Sequence, residues 1–244
     1  MNDATPPAAP PPPRPGIMDI APYVGGEHKV AGVNRVFRLA SNENTAGPSP
    51  KARAAYTATA GEIHRYPDGQ SDRLRRTIAR VHGLDAERIV CGAGSDELLQ
   101  LLTKSYAGEG DEVLYSQYGF LMYPIAAKSV GATPVAAPER DLTTDVDALL
   151  ARVTPKTRIV FVANPNNPTG SCLPQAEMRR LHAGLPSDVL LVLDAAYAEY
   201  VEDADYDAGV ELVDAASNVV MCRTFSKIYA LAGLRLGWLY GSPG

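Results

Sequence analysis

Past residue 70 the apolar positions alternate between helical and strand-like spacing. Leu74, Ile78 and Val81 recur at helical intervals, and Ser71 before them is a residue type that caps helices. The short apolar run Arg88–Cys91 predicts a strand that enters Gly92-Ala93-Gly94. Ser95-Asp96-Glu97 then opens a helix carrying Leu98, Leu99, Leu101 and Leu102, stopped near Gly108. EVLYS (112–116) predicts a strand, 120–130 a helix, ATPVAA (132–137) a strand and Asp145–Arg152 a helix. Three compact apolar runs follow, TRIVFVA (157–163), DVLLVLD (188–194) and NVVMCRT (218–224). Such runs suit strands covered by helices on both faces. The alternation predicts an α/β fold with three layers, a mostly parallel sheet flanked by helices.

The first 61 residues read differently. Residues 1–16 are mostly Pro and Ala, which predicts a disordered or polyproline tail. Residues 17–61 are turn-rich, with one helix expected at Pro50–Thr59, and form an N-terminal arm with part of a small domain. Residues 62–244 then make the large domain. With 244 residues, 45% of them hydrophobic, the chain can bury a substantial core. A net charge of −5 gives no basic footprint, which argues against nucleic acid and anionic membranes as partners. No apolar run reaches the roughly 20 residues of a membrane span, and no signal-peptide pattern opens the chain. Cys91, Cys172 and Cys222 are odd in number and scattered, as expected of reduced thiols in a cytoplasm. The four histidines share no ligand-like spacing, so no metal site is expected.

In parallel sheets ligands sit at the carboxyl ends of the strands. Four loops that follow strands carry polar chemistry: GAGSDE, NPNNPTG, DAAY and TFSK. Backbone N–H groups of Gly94, Ser95 and Asp96 at a helix start suit an anion, although a plain glycine turn has the same spelling. NPNNPTG is made of turn residues, yet Asn167 before a rigid Pro-Thr-Gly is placed to donate to a phenolate oxygen. Asp194 ends a very apolar strand, where a carboxylate is either a helix cap or a buried charge needing a cationic partner. Tyr197 is either core or a second donor to that oxygen. Lys227 beside Ser226, with Arg235 eight residues on, is the least informative position alone and the most informative in this company.

Together these residues suit pyridoxal 5'-phosphate (PLP), which needs an amine for a Schiff base, an anion at its pyridine nitrogen and cations at its phosphate. Lys227 would supply the amine, and once displaced it could move a proton. Ser226 and Arg235 would hold the phosphate. Tyr118, Phe120 and Tyr123 are candidates to cover the ring face.

The chain resembles fold-type I PLP-dependent aminotransferases of the histidinol-phosphate aminotransferase group. The resemblance runs from about Ile17 to the last residue. It is carried by SNENTAGPSP, RYPDG, GAGSDELLQLL, NPNNPTG, DAAYAEY and TFSKIYALAGLRLGW. It implies Lys227 as the Schiff-base lysine, Asp194 at the pyridine nitrogen, and Asn167 and Tyr197 at the phenolate oxygen. Ser95, Asp96, Ser226 and Arg235 are implied at the phosphate, and Phe120 against the ring with Tyr118 second. Tyr66 matches a tyrosine that reaches the phosphate of a neighbouring subunit, so a homodimer is implied. The implied reaction passes the amino group of L-histidinol phosphate to 2-oxoglutarate in histidine biosynthesis. The sequence stops at GWLYGSPG, where the family continues into a small C-terminal domain carrying a substrate-gripping arginine. Related chemistries on the same ring-binding residues are a threonine-phosphate decarboxylase and a β-lyase; an inactive truncated PLP-binding fragment is the remaining alternative.

Overall fold

The computed structural model describes residues 12–21, 32 and 40–243. Residues 1–11 of the expected tail lie outside them. Pro12–Gly16 lead into a short 3-10 turn, Ile17–Asp19, and Arg14 Nη2 donates to the Ser129 carbonyl at 2.6 Å. Helix α1, Pro50–Ala58, starts as its sequence dictates, with Pro50 in the first turn and the Ser49 hydroxyl accepting from the Ala52 N–H.

Helix α2 (Asp72–His82) leads to strand β1 (Ile89–Gly92), helix α3 (Ser95–Tyr106) and strand β2 (Glu112–Ser116). Helix α4 (Met122–Ser129) and β3 (Thr133–Ala137) follow, then a two-strand ribbon of β4 (Glu139–Arg140) and β5 (Thr143–Thr144). Helix α5 (Val146–Leu150), β6 (Thr157–Ala163), α6 (Gln175–Gly184), β7 (Leu190–Asp194), α7 (Val210–Ala215), β8 (Val219–Thr224) and β9 (Gly237–Tyr240) complete the chain. The large sheet has the order β1-β9-β8-β7-β6-β2-β3. Only β9 runs against the others, paired antiparallel with both β1 and β8. The expectation of a mostly parallel sheet is met.

Successive strand residues point to opposite faces, and this chain loads both. Val160, Val162, Leu191, Leu193, Val219 and Met221 pack with α2, α5, α6 and α7. Ile159, Phe161, Leu190, Val192, Val220 and Cys222 pack with α3 and α4. Three layers result. Asp194 shares the parity of Leu190 and Val192, so its side chain is directed to the α3–α4 side. Arg223 has the opposite parity and faces the other layer.

Two details of α2 differ from expectation. Ser71 occupies the cap position, but its side chain makes no cap bond; Asp68 Oδ2 accepts from the Asp72 N–H at 2.8 Å instead. Val81 is 65% exposed, and the face that packs on the core carries Leu74, Ile78 and Ala79 instead. Helices α6 and α7 and strand β9 were not expected.

Candidate active site

A cavity of about 600 Å³ opens at the carboxyl edge of the sheet. Ala163, Asp194 and Thr224, the last residues of β6, β7 and β8, line its floor. Ser95, Asp96 and Arg235 line one part of the wall, and Phe120, Asn167 and Tyr197 others; Ser226 and Lys227 also face it. The four strand-following loops picked out in the sequence therefore converge on one space. Gly94, the residue before α3, is outside the lining. Tyr66 is fully exposed and outside the lining, and Tyr118, 45% exposed, is outside it as well. Of the three aromatic candidates, Phe120 faces the cavity. Tyr123 does not cover a ligand face; it is buried beneath the floor.

Asp194 is 5% exposed. Its Oδ2 accepts a hydrogen bond from the Tyr123 hydroxyl at 2.9 Å, while its buried Oδ1 has no partner among the described residues. Burial pushes the carboxyl up from 3.8 to about 6, against the pulls of the Tyr123 hydroxyl, the Ala196 N–H and the Lys227 charge. A buried, half-satisfied carboxylate calls for a cationic ligand group. Lys227 Nζ is 5.5 Å from the centre of the Tyr197 ring and donates to the Ser41 carbonyl at 3.4 Å. The Tyr197 phenol oxygen accepts from Asn42 Nδ2 at 2.8 Å, which leaves its own proton to be donated elsewhere.

The β8–β9 connection explains why Lys227 and Arg235 act on one space. Thr224 pairs with Gly237, and the Phe225 N–H donates to the Leu236 carbonyl at 3.0 Å, so residues 225–236 fold back as a closed loop. Arg235 Nη1 donates to the Ala232 carbonyl at 3.0 Å and Nη2 to the Ala93 carbonyl at 3.3 Å, which ties this loop to the one before α3. The start of α3 adds its unpaired N–H groups and positive dipole end. Two glycines make the approach possible. Gly94 has φ +87°, and a Cβ there would sit 2.6 Å from Arg235 Nη2. A Cβ on Gly237 would sit 2.4 Å from the Ser95 backbone nitrogen. Gly237→Ala is thus expected to lift the Gly94-Ser95 turn off the sheet, destabilise the protein by roughly 1–3 kcal/mol and weaken phosphate binding. Thermal unfolding and an inorganic phosphate titration check this; an unchanged melting temperature would contradict it.

The asparagines of NPNNPTG divide their work. Asn164 clamps its own loop, donating to the Leu173 carbonyl at 3.1 Å and accepting from the Leu173 N–H at 2.8 Å. Asn166 Nδ2 donates to Thr169 Oγ1 at 2.8 Å and to the Tyr118 carbonyl at 3.3 Å. Asn167 faces the cavity instead. Sequence reasoning missed Asn42, Gly237, the Tyr123 contact and a buried ion pair, Arg223 Nη2 to Glu199 Oε1 at 2.7 Å. That pair joins the end of β8 to the turn after β7, so it braces the segments carrying Lys227 and Tyr197. A lone arginine in an apolar strand was its only signal. Among the described residues no three His, Cys, Asp or Glu side chains converge as a metal site requires, and no helix is long and apolar enough to cross a membrane.

The space thus suits a ligand with a cationic group for Asp194, an anionic group for Ser226, Arg235 and the α3 start, and a reactive carbon near Lys227. A family profile described as aminotransferase class I and II matches residues 34–243. The chain belongs to the class I and II aminotransferases. Among the relatives of this aminotransferase chain, the histidinol-phosphate aminotransferase of Paramagnetospirillum magneticum is 66% identical over 230 residues, 94% of this chain and 63% of the relative. That of Rhodospirillum rubrum is 63% identical over 231 residues, 95% of this chain and 62% of the relative. The chain therefore spans under two thirds of the length of these relatives. The crystal structure of histidinol-phosphate aminotransferase from Sinorhizobium meliloti in complex with pyridoxal-5'-phosphate superposes with a TM-score of 0.80 at 34% identity, covering 84% of this chain and 55% of that one. L-threonine-O-3-phosphate decarboxylase from Porphyromonas gingivalis reaches a TM-score of 0.70 at 21% identity over 83% of this chain and 59% of that one, a likeness of fold alone.

Proposed function

We propose that this chain is the PLP-binding part of a histidinol-phosphate aminotransferase that transfers the amino group of L-histidinol phosphate to 2-oxoglutarate. The observation that carries the reading is the unpartnered Asp194 Oδ1 in the same cavity as Lys227 and the Arg235-flanked start of α3. The 66% identity to a relative of that activity supports the substrate. When bound, PLP supplies a conjugated ring that takes up the electron pair released when a bond at the substrate's α-carbon breaks. Asp194 keeps the ring nitrogen protonated. Asn167 and Tyr197 would donate to the phenolate oxygen, and Phe120 would lie against the ring. Arg235 and Ser226, with the N–H groups of Ser95 and Asp96 at the start of α3, would hold the phosphate; the expected Gly94 contribution falls away, because its N–H is given to the Gly92 carbonyl at 2.8 Å. Lys227 would anchor the cofactor through Nζ, and the same amine would be the group that holds or moves the α-carbon proton.

In this reading residues 62–244 form the large, cofactor-binding domain and 17–61 the arm leading into it. The full exposure of Tyr66 suits its expected reach to the phosphate of a neighbouring subunit in a homodimer, and a cytoplasmic location suits the reaction. Adding PLP to the chain is expected to produce an absorbance band that borohydride fixes as a mass increase on Lys227. A folded sample without such a band refutes the cofactor assignment. Glutamate formed from histidinol phosphate and 2-oxoglutarate by the enzyme supports the reaction; carbon dioxide or ammonia released in its place assigns the decarboxylase or β-lyase alternative.

A further inference from the structure

The Tyr123 hydroxyl has no role in packing. The ring lies parallel to Phe161, 4.7 Å between centroids and 4° apart, and takes Phe120 edge-on at 5.9 Å. Phenylalanine would preserve both contacts. The phenol is 1% exposed and spends its proton on one acceptor, Asp194 Oδ2 at 2.9 Å. We infer that Tyr123 is the positioning residue for Asp194: it pins Oδ2 from beneath the floor and leaves Oδ1 as the oxygen that meets the cofactor's ring nitrogen. This rests on the PLP reading above and adds a residue that the ring never touches.

Three observations support it. Oδ1 is buried without a partner while Oδ2 is engaged, so the two oxygens are already differentiated before any ligand arrives. Burial and the adjacent carboxylate hold the phenol's pKa well above 10, so at neutral pH it remains protonated and can only donate to an ionised partner. The hydroxyl also favours ionised Asp194, opposing the rise that burial imposes. The other groups facing the carboxylate are the Ala196 N–H, Lys227 from the β8–β9 loop, Asp96 from α3, Tyr197 from the loop after β7 and the Cys222 thiol on β8. Lys227 pulls toward ionisation and Asp96 against it. Neither lies beneath the floor, where the Tyr123 hydroxyl is within hydrogen-bond distance of this carboxylate. Sequence parity accounts for the meeting: Asp194 projects to the α4 side of the sheet.

The test uses Tyr123→Phe, with Asp194→Asn to assign the Asp194 carboxyl band in the infrared spectrum of the cofactor-free protein. Removing the phenol is expected to raise the midpoint at which that carboxyl ionises by roughly one pH unit. PLP affinity, from absorbance titration, should fall several-fold near about pH 6.5 and recover toward the wild-type value near about pH 8.5, where both carboxylates are ionised. In an Asp194→Asn background the same replacement should change affinity little. A midpoint that does not move, or a PLP affinity unchanged at both pH values, overturns the inference. The infrared midpoint needs no cofactor, so it reads the inference separately; a wild-type chain that forms no Lys227-dependent band refutes the PLP reading instead.

Discussion

Lys227→Ala is expected to abolish the PLP absorbance band and to reduce transamination by at least about 10⁴-fold, because one amine both anchors the cofactor and moves the proton. The surroundings of Lys227 are built for one cation. Its Nζ sits near the Tyr197 ring and the Ser41 carbonyl, and its charge pulls the Asp194 carboxyl down. Alanine removes the nucleophile and also that pull, so Asp194 should take up a proton at higher pH in the variant. Absorbance titration, borohydride trapping with peptide mass spectrometry and a glutamate-release assay measure the loss. A band that survives the replacement would mean that another amine carries the cofactor, and the proposed geometry would be wrong.

The second large effect is a trade between stability and binding at Asp194. Its carboxyl is displaced from 3.8 to about 6 on folding, which at about 1.36 kcal/mol per unit amounts to roughly 3 kcal/mol. The sign follows from which state binds the proton. Above pH 6 the carboxyl is ionised in both states, and the native state bears the full cost of a buried charge. As pH falls from 6 toward 3.8 the native state takes up its proton first, and the cost is relieved. This group alone therefore makes the cofactor-free protein more stable as pH falls through that window. Asp194→Asn keeps an acceptor for Tyr123 and removes the charge. At pH 8 the cofactor-free variant should gain roughly 2–3 kcal/mol, several degrees in melting temperature, with the gain vanishing near pH 4. Its PLP affinity should fall roughly 10- to 100-fold, the worth of a charge-assisted bond to the ring nitrogen. Melting curves across pH with and without PLP test both halves. A cofactor-free variant less stable than wild type at pH 8 would show that the Asp194 charge is compensated in the fold.

The sequence by itself determined the alternation of strands and helices, the three buried runs and the loops that follow them. It also placed Asn167, Asp194, Ser226, Lys227 and Arg235 where they line one cavity. Those signals are local: an apolar run registers as a strand wherever it lies, and a polar loop after it follows from chain order. Other features depended on partners distant in sequence. Helix α6 buries only Met178 and Leu181 among charged neighbours, so its apolar stripe was too thin to read. The reversed direction of β9 is set by its pairing with β1 and β8. Tyr123 reads as one more core aromatic until strand parity brings Asp194 above it, and Arg223 as a stray charge until Glu199 meets it. Only the tertiary structure decided these, because a hydrogen bond or ion pair between residues tens of positions apart leaves no periodicity in either segment.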